Sequence, residues 1–290
     1  MKALVTGASG LLGSEIIRAL TENGFAGNAL DRSAFLESTS ADRSSMLEGF
    51  DVVIHAAANT NVEQCEIEPE GCYYDNCFLT EQLYHHARRT GAKFVFISST
   101  GVYGRTKVTP YHEYDPVSPT TVHHRSKHIA ELTVLTSPDT LVIRTGWLFG
   151  GAFANKKNFV KNRLNDIRAA KGPIYANASQ TGNPTYVRDC ARTLLELIAD
   201  NCVGVYNVVN DGSVSRFDYV KQIAQFSGSA CEVFPVDASE FKRRADVSEN
   251  EAAISYRMRF EGRPQLRPWQ EALTEYMREN GLLGCLGEGT

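Results

Sequence analysis

Thr6-Gly7-Ala8-Ser9-Gly10-Leu11-Leu12-Gly13 carries three glycines at G-x-x-G-x-x-G spacing, close to the start of the chain. Glycine allows a tight turn, a close approach of backbone to a pyrophosphate, and close packing of helix on strand. A helix opening after such a turn offers unpaired N–H groups and a positive dipole end to phosphate oxygens. The pattern follows a short apolar run, Ala3-Leu4-Val5, and precedes helical spacing from Ser14 to Leu20. That is the context a dinucleotide fingerprint requires. Asp31 stands 18 residues after Gly13, at the end of a second candidate strand, Ala29-Leu30-Asp31. Its carboxylate suits the ribose hydroxyls of NAD, whereas Arg32 beside it suits the 2′-phosphate of NADP. The two signals oppose each other. The expected cofactor is therefore NADP or NAD, seated by Gly7, Gly10, Leu11, Leu12 and Gly13, with Asp31 or Arg32 reading the adenosine ribose.

Histidine and cysteine are the other residues able to do chemistry. His124 and His128 are spaced i, i+4 on a predicted helix, a geometry able to hold a metal, but no third ligand accompanies them. Packed or solvated histidines are expected there, and His85-His86 beside Arg88 and Arg89 read as a helix-surface pair. The seven cysteines (Cys65, Cys72, Cys77, Cys190, Cys202, Cys231 and Cys285) are odd in number and contain no C-x-x-C pair. Neither a metal site nor a disulfide framework is expected, only buried free thiols in a reducing compartment.

The elements that must position these groups follow from length and patterning. The chain has 290 residues, 42% hydrophobic and 22% charged, the balance of a folded domain with a sizeable core. Its 30 basic and 34 acidic residues give a net charge of −4, which argues against a nucleic-acid partner. No run approaches the roughly 18 apolar residues of a membrane span. Nothing at the N-terminus reads as a signal peptide, so a cytoplasmic protein is expected. Short apolar runs at Ala3–Thr6, Val52–His55, Phe94–Ile97 and Leu141–Arg144 alternate with helical stretches. That pattern predicts an α/β protein with a Rossmann-type doubly wound parallel sheet. Past Gly150 the chain becomes more polar and irregular. Residues 189–199 then read as a helix, 204–209 as a strand, 216–227 as a helix and 232–235 as a strand, with a closing helix from Pro268. The expected plan is a dinucleotide-binding domain of residues 1–150 and 184–212. Residues 151–183 and 213–290 form a smaller C-terminal substrate-binding cap.

Together these residues resemble the extended short-chain dehydrogenase/reductases. Val52 to Thr60, including Ala56, Ala57 and Ala58, is similar to the segment after that superfamily's fourth strand, whose small residues lie along the cofactor. Asn76 followed by Thr80 resembles its N-x-x-G-T helix, with Leu79 in place of the glycine. Ile97-Ser98-Ser99-Thr100-Gly101-Val102-Tyr103-Gly104 resembles its catalytic strand, which implies Ser99 as the carbonyl-binding hydroxyl. Later motifs are similar to the dTDP-4-dehydrorhamnose reductases. They are Arg144-Thr145-Gly146-Trp147-Leu148-Phe149-Gly150, Asn158-Phe159-Val160, Gln180-Thr181-Gly182-Asn183-Pro184-Thr185-Tyr186 with Asp189, and Pro268-Trp269-Gln270-Glu271-Ala272-Leu273. The resemblance spans nearly the whole chain. It implies NAD(P)H-dependent reduction of a keto group on a nucleotide-linked deoxysugar, with Lys127 holding the nicotinamide ribose, Asn76 supporting Lys127 through water, and Trp147 and Asn158 near the substrate.

One departure bears on mechanism. The superfamily signature is Tyr-x-x-x-Lys, but here His123 stands four positions before Lys127. The carbonyl oxygen gains negative charge as hydride arrives, and a donor must stabilise it. An imidazolium is a sensible acid, although a nearby ammonium favours the neutral ring, which still offers one N–H. Three alternatives stay open: His123 as acid or donor, another residue such as Tyr103, Tyr111 or Tyr114 in that role, or a site without reductase chemistry. The last would make the chain a cofactor-binding regulatory homologue. An epimerase or dehydratase that recycles its own cofactor is a further alternative. Asn59 and Asn61 also depart from the family's A-A-Y-T-A-V-D, and Arg244-Ala245-Asp246 from its R-P-x-N-S. The expected partner is a nucleotide-sugar substrate, with a possible homodimer.

Overall fold

A computed structural model describes residues 1–284. Cys285 lies outside the described residues. Six strands form one parallel sheet: β1 (Lys2–Thr6), β2 (Ala26–Ala29), β3 (Val52–His55), β4 (Lys93–Ser99), β5 (Leu141–Thr145) and β6 (Gly204–Asn207). Their order across the sheet is β6-β5-β4-β3-β1-β2. The chain therefore leaves β1 toward one edge and returns on its other side at β3. The carboxyl ends of β1 and β3 open a crevice at this switch point, where α/β sheets hold their ligands.

The main helices are α1 (Leu11–Glu22), α2 (Leu79–Thr90), α3 (Val122–Val134), α4 (Phe159–Ala169), α5 (Val187–Ala199), α6 (Arg216–Phe226) and α7 (Trp269–Glu279). Strand residues alternate between two layers. Val5, Ile54 and Ile143 join Ile16 and Leu20 of α1, Leu194 of α5 and Leu273 of α7 in one core. Leu4, Val53 and Val142 join Leu83 of α2 and Val134 of α3 in the other. With both faces covered, the strands read as continuous apolar runs, which is why they were visible in sequence. Beyond the sheet, Ile174–Asn177 pairs in parallel with Val233–Val236, and Thr181–Gly182 pairs antiparallel with Val214–Ser215. No helix among the described residues is long and apolar enough to cross a membrane.

One expectation needs correction. The second strand is Ala26–Ala29, so Asp31 does not end it. The Asp31 carboxylate instead accepts the Ala34 N–H at 2.8 Å and caps the short helix Arg32–Glu37. A short acidic side chain after an apolar run satisfies a helix N-terminus better than it extends a strand.

Candidate functional site

The glycine turn is built by close approach. Gly7 has φ +68°, and a Cβ there would lie 2.7 Å from the Ala57 nitrogen. A Cβ on Gly13 would lie 2.1 Å from the Gly7 carbonyl oxygen, so α1 can seat on the turn only without one. A buried polar chain sets this contact. The Thr6 hydroxyl accepts the Ala57 N–H at 3.2 Å and faces His55 Nδ1 at 2.6 Å. His55 Nε2 faces the Thr80 hydroxyl at 3.0 Å, which donates to the Asn76 carbonyl at 2.7 Å. Burial, helped by Lys127, pulls His55 down to about 3, so a neutral ring links the hydroxyls. The result is a cavity of about 480 Å³ lined by Gly7, Gly10, Leu11, Leu12, Gly13 and Ala56 to Ala58. Small side chains on one wall and the N-terminus of α1 on the other fit a dinucleotide pyrophosphate.

Asp31 and Arg32 stand apart from that lining. Asp31 is engaged in its cap, and Arg32 is paired with Asp75.

The centre of the site comes from β4 and α3. Ser99 ends β4, and its hydroxyl accepts the Gly101 N–H at 3.2 Å. Thr121 caps α3 by accepting the His124 N–H at 3.1 Å, while Glu66 accepts the Val122 N–H at 2.7 Å. The next helical turn puts His123 and Lys127 on one face. Lys127 is buried with its ammonium 4.0 Å from the Phe96 ring centre. Burial pulls it down to about 7, against the attraction of Glu131, Cys77 and Cys72. Burial also pulls His123 down to about 3, and His124 and Lys127 add to the shift. The ring is therefore neutral near pH 7. Asn76 lies against His123: its Nδ2 is 3.5 Å from His123 Nδ1 and donates to the Ser126 hydroxyl at 2.9 Å.

A second cavity, of about 840 Å³, opens on the other side of this centre. Ser99, His123, Gly146, Trp147 and Thr60 line both cavities. Trp147 is thus at the junction, held with φ +47° by its surroundings. Its Nε1 donates to Glu251 at 2.8 Å, and the Arg216 guanidinium stacks on its ring at 3.4 Å. Burial lowers Arg216 to about 10 and raises Glu251. Arg163 and Arg243 also line this cavity. Sequence reasoning missed Arg216, Glu251, Arg163 and Arg243, because no local motif marks them.

Asn158 lines neither cavity. It is fully buried, caps α4 through the Lys161 N–H at 3.1 Å, and donates to the Tyr276 hydroxyl at 2.6 Å. The tyrosine alternatives are elsewhere too. The Tyr103 hydroxyl donates to Asn207 at 2.8 Å, and its ring stacks on Tyr111 at 4.8 Å. Tyr114 is exposed. The candidate metal pair is split, His124 facing Thr121 at 3.0 Å and His128 facing Glu131 at 3.6 Å.

The family described as RmlD substrate binding domain matches residues 1–281. The chain belongs to that family. It is 32% identical over 284 residues to the spore coat polysaccharide biosynthesis protein SpsK of Bacillus subtilis, covering 96% of this chain and 97% of that protein. It is 32% identical over 279 residues to dTDP-4-dehydrorhamnose reductase of Mycobacterium tuberculosis, covering 94% and 91%. The crystal structure of dTDP-4-dehydrorhamnose reductase from Bacillus anthracis in complex with NADP superposes with TM-score 0.89 at 27% identity, covering 96% of this chain and 100% of that one. The family thus agrees with the resemblance carried by the motifs.

Proposed function

We propose that this protein is an oxidoreductase that uses NAD(P)H to reduce a keto group on a nucleotide-linked deoxysugar. The observation that carries the reading is the meeting of two cavities at Ser99 and His123. The smaller cavity has the glycine turn and small-residue wall that fit a dinucleotide, and the larger has three arginines suited to a diphosphate. Relatives named as dTDP-4-dehydrorhamnose reductases support the substrate class, and the NADP-bound relative supports the cofactor.

A nicotinamide held in the smaller cavity supplies hydride. Gly7, Gly10 and Gly13 seat the pyrophosphate against the N-terminus of α1. Lys127 holds the nicotinamide ribose and places positive charge beside the reacting carbonyl. Ser99 donates its hydroxyl proton to the carbonyl oxygen as a hydrogen bond, and the neutral His123 ring donates its N–H to the same oxygen. The carbonyl carbon gains the hydride, and its oxygen takes the balancing proton from solvent. Arg216, Arg163 and Arg243 hold the diphosphate, and Trp147 shapes the wall beside the sugar.

The test is NADPH and NADH oxidation with a dTDP-4-keto-6-deoxysugar. We expect turnover in the native chain and a loss of about 10²- to 10³-fold in kcat/KM for His123→Ala, the size of one lost oxyanion donor. Cofactor binding without any oxidation would sink this reading and leave the regulatory homologue standing.

A further inference from the structure

Cys65, Cys72 and His123 form a cluster that this chemistry leaves unexplained. Cys65 lies on the short helix Val62–Ile67, Cys72 on Pro69–Tyr73, and His123 on the first turn of α3. Two sulfurs and one ring nitrogen lie within 4.8 Å of one another. All three side chains are buried, and both thiols are free. Three separate elements converge to make the cluster, which is why spacing along the chain gave no sign of it.

The donor set selects the ligand. Two thiols and an imidazole suit zinc, whereas hard cations take oxygen. A tetrahedral zinc with Zn–S near 2.3 Å and Zn–N near 2.0–2.1 Å holds its ligand atoms roughly 3.5–3.8 Å apart. Side-chain rotation and a shift of about 1 Å would bring these atoms to that spacing. Two thiolates cancel the charge of a divalent cation, so the loaded cluster adds no unpaired charge to a buried place. Outer partners are already there. Asn76 Nδ2 lies 3.4 Å from the Cys72 sulfur, and the Ser126 hydroxyl lies 3.5 Å from it. Glu66, next to Cys65, ties this helix to α3 by accepting the Val122 N–H at 2.7 Å. Such outer contacts orient ligands and support a thiolate.

We propose that Cys65, Cys72 and His123 bind one Zn²⁺ or similar soft divalent cation, with the fourth position left to water. We further assign the loaded His123 as the donor to the keto oxygen. Binding releases two thiol protons to solvent and moves no electrons. A neutral imidazole has one lone pair and one N–H. The cation takes the lone pair, fixes the tautomer, and polarises the ring so that the other nitrogen becomes a stronger N–H donor. His123 lines both cavities, so that donor stands beside Ser99. This role rests on the keto-reductase reading; the metal site does not.

The experiment uses the whole chain, reduced and stripped with chelator, titrated with Co²⁺ and separately with Zn²⁺. We expect one equivalent per chain, with thiolate-to-Co²⁺ charge-transfer absorption and the strong visible bands of tetrahedral Co²⁺. Cys65→Ala and Cys72→Ala should weaken uptake by about ten-fold or more, while NADPH binding confirms that each variant is folded. Absence of the thiolate band, or uptake in both variants as tight as in the native chain, overturns the site. In the ketone assay, Zn²⁺ should raise turnover of the stripped native chain about ten-fold or more and leave Cys65→Ala unmoved. A thiolate band with turnover unchanged or lowered by Zn²⁺ keeps the site and overturns the role of His123. A thiolate band with no turnover in either form keeps the site and counts against the keto-reductase reading.

Discussion

At the residue scale, two titratable groups of the proposed reacting centre, His123 and Lys127, are both shifted toward neutrality. His123 is drawn to about 3 by burial, so it contributes no inflection between pH 5.5 and 8.5. An imidazolium acid would instead make turnover climb toward acid, and the pH profile of kcat/KM decides between them. Lys127, drawn to about 7, titrates inside that range. Its ammonium is present below about 7 and lost above, so kcat/KM should fall on the alkaline side. Lys127→Met should abolish that limb along with most of the activity. The stability effect has the opposite sense. Between about 7 and 10.5 the unfolded chain binds the proton that the folded chain lacks, so stability from this group rises with pH. Below 7 the buried charge is a burden, and Lys127→Met should raise the thermal midpoint at pH 6. The Lys127 position was legible from its spacing to His123, but the shift was not. It depends on Phe96 and the surrounding core, which no local motif reveals.

At the scale of elements, α3 carries the centre of the site, and its anchor is a buried ion pair. Glu131 meets Arg144 of β5 through bonds of 2.7 and 3.0 Å. Burial would raise the Glu131 carboxyl, but hydrogen bonds from His128 and Arg144 win and hold it at about 2. Its stabilisation is therefore full above about 4.5 and lost as pH falls toward 2. Glu131→Ala leaves the Arg144 charge uncompensated in the core and should cost about 3–5 kcal/mol, measured by urea unfolding at pH 7. The seating of α1 is equally unforgiving. Gly13→Ala places a methyl 2.1 Å from the Gly7 carbonyl and should eliminate NADPH binding. The strands and helices were legible because strands covered on both faces show unbroken apolar runs and helices show periodic ones. The second strand was misplaced at Asp31 because a cap bond outcompeted the strand.

At the scale of the molecule, the proposed function gives the two cavities separate tasks, the smaller holding cofactor and the larger substrate. Arg216 lines the larger cavity and stands apart from the smaller one. Arg216→Ala should raise KM for the nucleotide sugar about ten-fold or more, the loss of a charge-assisted bond to phosphate, with the dissociation constant for NADPH unchanged. A change in both would place the arginine elsewhere in the binding scheme. The sequence by itself determined the parallel sheet, the glycine turn, the family and the presence of Ser99, His123 and Lys127. Each of these is written in local spacing, where one turn or one strand brings the residues together. Only the tertiary structure decided that Trp147 joins the two cavities while Asn158 props up a helix. It also decided that Arg216 and Glu251 flank Trp147 and that Cys65 and Cys72 reach His123. Those contacts join residues far apart in the chain, and packing of whole elements, rather than any local pattern, determines their distances.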